Sequence, residues 1–283
     1  MRKLILTGDD FGLALPVNEA IVEAHRHGIL TSASLMIAAN AAGDAVDRAR
    51  QLPALHVGLH LVLVDGRAVL PASEIPDLVD PDGNFPSNPV QAGLKYFFMP
   101  EARPQLEAEI RAQFLAFQRT GLLLDHVNGH HHMHLHPTIL RLVLKIGAEF
   151  GLRAMRLPHE PVRRCSSTSQ RGLFSRLAAT LWLYPWIRLL RSRLRRAGIR
   201  CNDFVFGLHD SGALHEDALL RILRDLPPGV TEIYCHPATR HSPELNDSVT
   251  DSSREREFQA LMSPVVRQAI VASGCQRIGF GQL

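Results

Sequence analysis

Eight short apolar or β-branched runs, at 3–7, 33–37, 55–61, 122–128, 152–157, 203–206, 230–235 and 276–280, recur along the chain with helix-like stretches between most of them. Runs of this length suit buried strands, and strands separated by helices run parallel, because each crossover returns the chain to the same end of the sheet. Helix punctuation fits the alternation. Pro16 opens a helix that Gly28 closes, Pro137 opens one ending near Gly151, and Gly274 follows a long run from about Ser253. The pattern predicts a single α/β domain over residues 1–283, an irregular (β/α) TIM-like barrel, with an open doubly wound sheet as the alternative. An apolar content of 46% over 283 residues supplies enough core for one domain of this size. Two connections, 62–100 and 161–202, are too long for a simple crossover and are expected to build a substrate site or a contact surface.

A parallel barrel opens the C-terminal end of every strand on one face, so chemistry should gather there. Asp9 and Asp10 follow the first run, His60 closes Gly58-Leu59-His60, His130 opens the cluster from Asn128-Gly129 to Pro137, and His236 stands in Cys235-His236-Pro237. One carboxylate and two imidazoles make a three-ligand catalytic set for a divalent ion, which leaves a second carboxylate for use as a base. Each residue alone has a plainer reading. An aspartate after a strand is ordinarily a cap or turn former, a lone histidine a hydrogen-bonded interior group, and a histidine tract a product of composition. Convergence of four motifs on one rim outweighs those readings. Histidines 130, 132, 134 and 136 alternate, so one is expected as a ligand and the others to orient it or touch substrate. Zinc suits such a set best, with Co2+ or Mg2+ as alternatives, although magnesium prefers oxygen ligands.

The net charge of +3 divides unevenly. Residues 161–202 hold ten arginines and no acid, so the remainder carries +3 − 10 = −7. Leu173, Leu177, Leu181 and Tyr184 recur at helical spacing, Trp182 and Trp186 lie one turn apart, and the arginines cluster over Arg188–Arg196. This reads as a basic amphipathic insertion resting on an anionic membrane surface, with a helical hairpin packed on the barrel as the plainer reading and Pro185 as a kink point. No stacking or groove-reading motif supports a nucleic-acid partner. The four cysteines lack C-x-x-C spacing, no apolar run reaches the ~18 residues of a membrane span, and the first residues do not form a charged-then-apolar leader. A cytoplasmic protein, peripheral on the inner face of the membrane, is the expectation.

The segments Thr7-Gly8-Asp9-Asp10-Phe11-Gly12, Gly58-Leu59-His60-Leu61, Gly129-His130-His131-His132-Met133-His134 and Cys235-His236-Pro237-Ala238 resemble, in order, the signature blocks of the YdjC-like carbohydrate deacetylases. Leu15-Pro16-Val17-Asn18-Glu19-Ala20, residues 128–137, Arg156-Leu157-Pro158 and the arginine-rich insert are similar to the hopanoid-biosynthesis-associated (HpnK-like) branch. The resemblance implies a barrel of the glycoside hydrolase/deacetylase type that removes acetyl from an N-acetylglucosamine unit on a hopanoid lipid. It implies that Asp10, His60 and His130 hold the metal and that Asp9 is the base. His236 is the candidate acid, with His134 as substitute. His132, His134, Arg156 and Phe11 are candidate substrate contacts, and Trp182, Trp186, Arg188 and Arg191 are candidate lipid contacts. Asn128 stands where relatives often carry an acid, which leaves one outer contact of the site open. A homodimer is admitted, with no seam to name. The alternatives are a deacetylase of soluble chito-oligosaccharides, a two-histidine, one-carboxylate iron oxygenase, and a non-catalytic metal-binding protein, which would have no need of Asp9.

Overall fold

The longest strand, β1 (Arg2–Phe11), runs through the middle of the molecule and is buried from Leu4 onward. Both of its faces are covered, as expected for a strand in a parallel sheet. In the computed structural model, which describes residues 1–161, 185–208, 212–245 and 251–283, one edge of β1 pairs with β6 (Gly229–Cys235) over Arg2–Gly8. Its other edge pairs with β7 (Gln276–Arg277) at Lys3–Leu4 and then with β2 (Ser32–Leu35) from Thr7. The order β4 (Val127–Gly129), β3 (His56–Leu61), β2, β1, β6, β5 (Phe204–Phe206) is parallel throughout and forms a curled half-barrel.

Helices cover the sheet: α1 (Leu15–Arg26), α2 (Ala42–Arg50), α3 (Pro89–Phe98), α4 (Ala102–Arg119), α5 (Pro137–Glu149), α6 (described over 185–196), α7 (Glu216–Arg224), α8 (Asp251–Met262) and α9 (Pro264–Ser273). A 3-10 turn over His130–Leu135 joins β4 to α5. The expected long helix before Gly274 is two helices. Pro264 lacks the N–H needed to extend α8, and the Ser263 hydroxyl accepts from the Val265 and Val266 amides to start α9.

The run at 152–157 does not become a strand. It makes isolated bridges, Val127 with Met155 and Ala154 with Arg200, and the Val205 amide donates to the His159 carbonyl. These contacts link the open edge of β4 to that of β5 and complete the ring. Pro158 removes a ladder donor, and the Asn202 side chain substitutes for a neighbouring strand by accepting from Leu157 N at 2.8 Å and donating to Leu157 O at 2.9 Å.

In the basic insertion, residues 162–184, including Trp182 and the leucine spacing at 173–181, lie outside the described residues. The described part packs on the barrel. Ile187, Leu190 and Leu194 are buried on one stripe of α6, Trp186 is half-buried against the core beneath the Arg193 guanidinium, and Arg191 pairs with Asp203 at 3.0 Å. Trp186 and Arg191 thus make contacts with the protein itself, while Arg188 is exposed. Among the described residues no helix is long and apolar enough to cross a membrane.

Candidate active site

A bulge in β1 starts the site. Strand alternation would send Asp9 and Asp10 to opposite faces, but the β1–β2 register shifts between Gly8 and Phe11 and Asp10 adopts φ 62°. Both acids therefore reach one cavity of about 290 Å3, lined also by Leu13, His60, Asp65, His130, His131, His132, Tyr234, His236 and Arg254. Asp10, Asp65, His131 and His132 are the non-glycine residues with left-handed backbone among those described, and all four line this cavity. Such strain persists where the surroundings over-determine it, most often at functional sites.

Three candidate ligand atoms converge in the cavity. His60 Nε2, His130 Nδ1 and Asp10 Oδ1 stand 3.2, 3.4 and 3.6 Å from one another. Asp10 Oδ1 is buried and, among the described residues, has no hydrogen-bond partner. Asn128 settles the tautomer of His60: its amide nitrogen donates to Ser34 Oγ and Asp9 Oδ1, so its oxygen accepts from His60 Nδ1 at 2.7 Å and the Nε2 lone pair faces inward. Burial takes the His60 pKa down to about 4 against the pull of Asp9, which keeps the ring neutral. Burial also opposes ionisation of Asp10, yet the contacts from His130, His236 and Arg254 hold its carboxyl well below the usual range. For His130, Asp10 outweighs burial and raises the pKa. Tetrahedral ligands about 2.0–2.1 Å from zinc stand roughly 3.3 Å apart, so the spacing, the inward Nε2 lone pair of His60 and the orphaned Asp10 oxygen fit a divalent ion. His130 and His131 also form a second, more exposed group with Asp65.

Asp9 has a different neighbourhood. Arg156, fully buried, donates to its two oxygens at 2.5 and 3.0 Å and to both oxygens of Glu232 at 2.7 and 2.9 Å, with its guanidinium 4.3 Å above the Tyr234 ring. Thr7 Oγ1 donates to Glu232 from behind. Burial would raise the Asp9 carboxyl, but Arg156 prevails and holds it far below the carboxylate range. Arg254, from α8, donates to Asp10 Oδ2 at 3.3 and 3.4 Å.

The expected substrate contacts separate into two groups. His132 lines the cavity, its Nε2 3.1 Å from Tyr234 Oη. Phe11 is a core residue with no exposure, because the bulge turns only the two acids outward. His134 is equally buried, with Nε2 on the Arg156 carbonyl, and Arg156 sits behind Asp9. None of these three lines the cavity. His236 does line it; Glu257 accepts its backbone N–H at 2.7 Å, and the imidazole Nδ1 has no partner among the described residues. The sequence reading missed Glu232, Tyr234 and Arg254. The first two were legible, since 232, 234 and 236 alternate along and just past β6 and so share a face.

The family model described as YdjC-like protein matches residues 3–272. A carbohydrate deacetylase of Brevibacillus brevis is 33% identical, the alignment covering 99% of each chain, and one of Geobacillus stearothermophilus is 29% identical over 99% of this chain and 97% of its own. Among solved structures, an Enterococcus faecalis protein described as a candidate cellobiose-phosphate cleavage protein superposes with a TM-score of 0.75 at 25% identity, covering 99% of this chain and 98% of its own.

Proposed function

Because this chain belongs to the YdjC-like family, we propose that it is a carbohydrate deacetylase that uses a divalent metal ion to hydrolyse the N-acetyl group of an acetylated amino sugar. The observation that carries this reading is the convergence of His60 Nε2, His130 Nδ1 and the unpartnered Asp10 Oδ1 beside the Arg156-bound Asp9. Asp10, His60 and His130 would hold the ion, and zinc suits their donor set. When bound, such an ion polarises an amide carbonyl and lowers the pKa of a water towards ~7.

The residues account for the remaining steps. Arg156 and Asn128 fix Asp9 as an oriented anion, which takes a proton from a water already made acidic as that water adds to the acetyl carbon. His236, which lines the same cavity just past the end of β6, gives a proton to the sugar nitrogen as the C–N bond breaks, so that acetate and a free amine leave. Tyr234, held by His132 and Arg156, meets the His236 ring edge-on with centroids 5.7 Å apart.

We take the substrate to be an N-acetylglucosamine unit on a hopanoid lipid headgroup. At about 290 Å3 the cavity is at the small end for ligand sites, enough for a sugar and its acetamide but not for a lipid tail, which would remain outside. The test is acetate release by the zinc-loaded protein from an N-acetylglucosaminyl lipid and from soluble chitobiose. Release from the lipid at the higher kcat/KM supports the full reading, faster turnover of chitobiose moves the substrate to soluble oligosaccharides, and release from neither overturns it.

A further inference from the structure

Helix α3 turns its largest apolar side chains outward. Val90, Leu94, Phe97 and Phe98 follow the i, i+4, i+7, i+8 spacing of one helix face and are 69%, 56%, 47% and 70% exposed. The opposite face is already used, with Ala92 and Tyr96 buried and the Tyr96 hydroxyl donating to Leu63 O at 2.7 Å. Met99 extends the exposed stripe. A contiguous surface of this kind marks an interaction site.

Beside it lies a second feature, a cavity of about 600 Å3 lined by Arg103, Arg141, Arg193 and Arg196 over an apolar floor that includes Leu140 and Leu144. No carboxylate appears in its described lining. The start of α5 opens on it, with no acid in the first turn, so the helix dipole adds to the positive field. The two features adjoin. Arg103 donates to the Phe97 carbonyl at 3.5 Å, and the Phe97 ring meets that of His136, the residue before Pro137 of the cavity lining, with centroids 6.1 Å apart. His136 also ends the turn that supplies His130, His131 and His132 to the catalytic cavity.

A small soluble anion would engage the arginines and leave the α3 stripe in water. A second copy docked on this face would cover the stripe but bring four more arginines and no described carboxylate. An anionic bilayer satisfies both, offering acyl chains to the phenylalanines and phosphodiesters to the guanidiniums. We propose that α3 and the adjoining four-arginine cavity form a docking surface for an anionic lipid bilayer, which brings the mouth of the catalytic cavity to the headgroup layer. What the docking serves rests on the deacetylase reading; the docking itself does not.

The experiment is co-sedimentation of the full-length protein with vesicles of phosphatidylcholine alone and with vesicles half phosphatidylglycerol. Wild type should sediment with the second and not the first, and release as salt is raised. Leu94→Ser with Phe98→Ser, and separately Arg141→Glu with Arg196→Glu, should each lower partitioning at least about tenfold while leaving acetate release from chitobiose and thermal stability unchanged. No sedimentation of wild type, or wild-type partitioning by both double variants, overturns the proposal. So does a dimer in analytical ultracentrifugation that the Leu94/Phe98 variant dissociates. Sedimentation needs no turnover, so failure of the deacetylase reading would appear in the acetate assay alone.

Discussion

Asn128 shows how one side chain directs a site it does not join. Its oxygen orients His60 and its nitrogen steadies Asp9, work that an acid at this position could do only for the imidazole. His236 is the residue on which the proposed proton delivery depends. His236→Ala should lower kcat by about 10²–10⁴ with metal content unchanged by elemental analysis, and unaltered turnover would remove it from the mechanism. His134 sets a pH dependence. Burial, only partly opposed by its bond to the Arg156 carbonyl, takes its pKa to about 3. As pH falls the unfolded chain takes up this proton first, near about 6.5, so the contribution of neutral His134 is complete above that pH and declines towards about 3. The decline is at most about 1.4 kcal/mol per pH unit. Urea unfolding between about pH 7 and 4 should show it, and His134→Gln, which keeps a donor for the carbonyl, should reduce the slope. Acids and histidines at strand ends were legible in the sequence because each ended an apolar run. Arg254 was not, since its partner Asp10 lies 244 positions away and nothing near it in α8 signals a site.

At the level of elements, punctuation and strand-length runs gave the parallel alternation, and the departures have local causes. The 152–157 run is as apolar as its neighbours, but Pro158 and the Asn202 amide replace a ladder with single bridges. The bulge in β1 has no sequence marker beyond the two acids themselves, so which of Asp9, Asp10 and Phe11 faced the cavity could not be read from alternation. Gly58 in β3 has a steric reason: a Cβ there would lie 2.5 Å from both the His126 ring and its carbonyl oxygen, where β3 approaches the chain entering β4. Gly58→Ala should cost about 1–3 kcal/mol in urea unfolding and shift His60, two residues on, so that metal affinity falls as well. A variant with unchanged stability and metal content would show that β3 and the chain entering β4 can separate freely.

For the whole molecule, the proposed ligands come from β1, β3 and the turn after β4, so a bound ion stabilises the closed sheet and not any one segment. Dialysis against a chelator should lower the melting temperature by about 5 °C if the ion was present at roughly a hundred times its dissociation constant, and zinc should restore it more fully than magnesium. No change on chelation would argue against the Asp10–His60–His130 assignment. Pairing of β1 with β6 has a temporal consequence. Arg2 lies opposite Gly229 in the ladder, so a ribosome adding roughly 5–20 residues per second leaves that side of the first strand waiting for about 10–45 s before its neighbour exists. Nascent chains of this protein should accordingly depend on holding factors until translation is nearly finished.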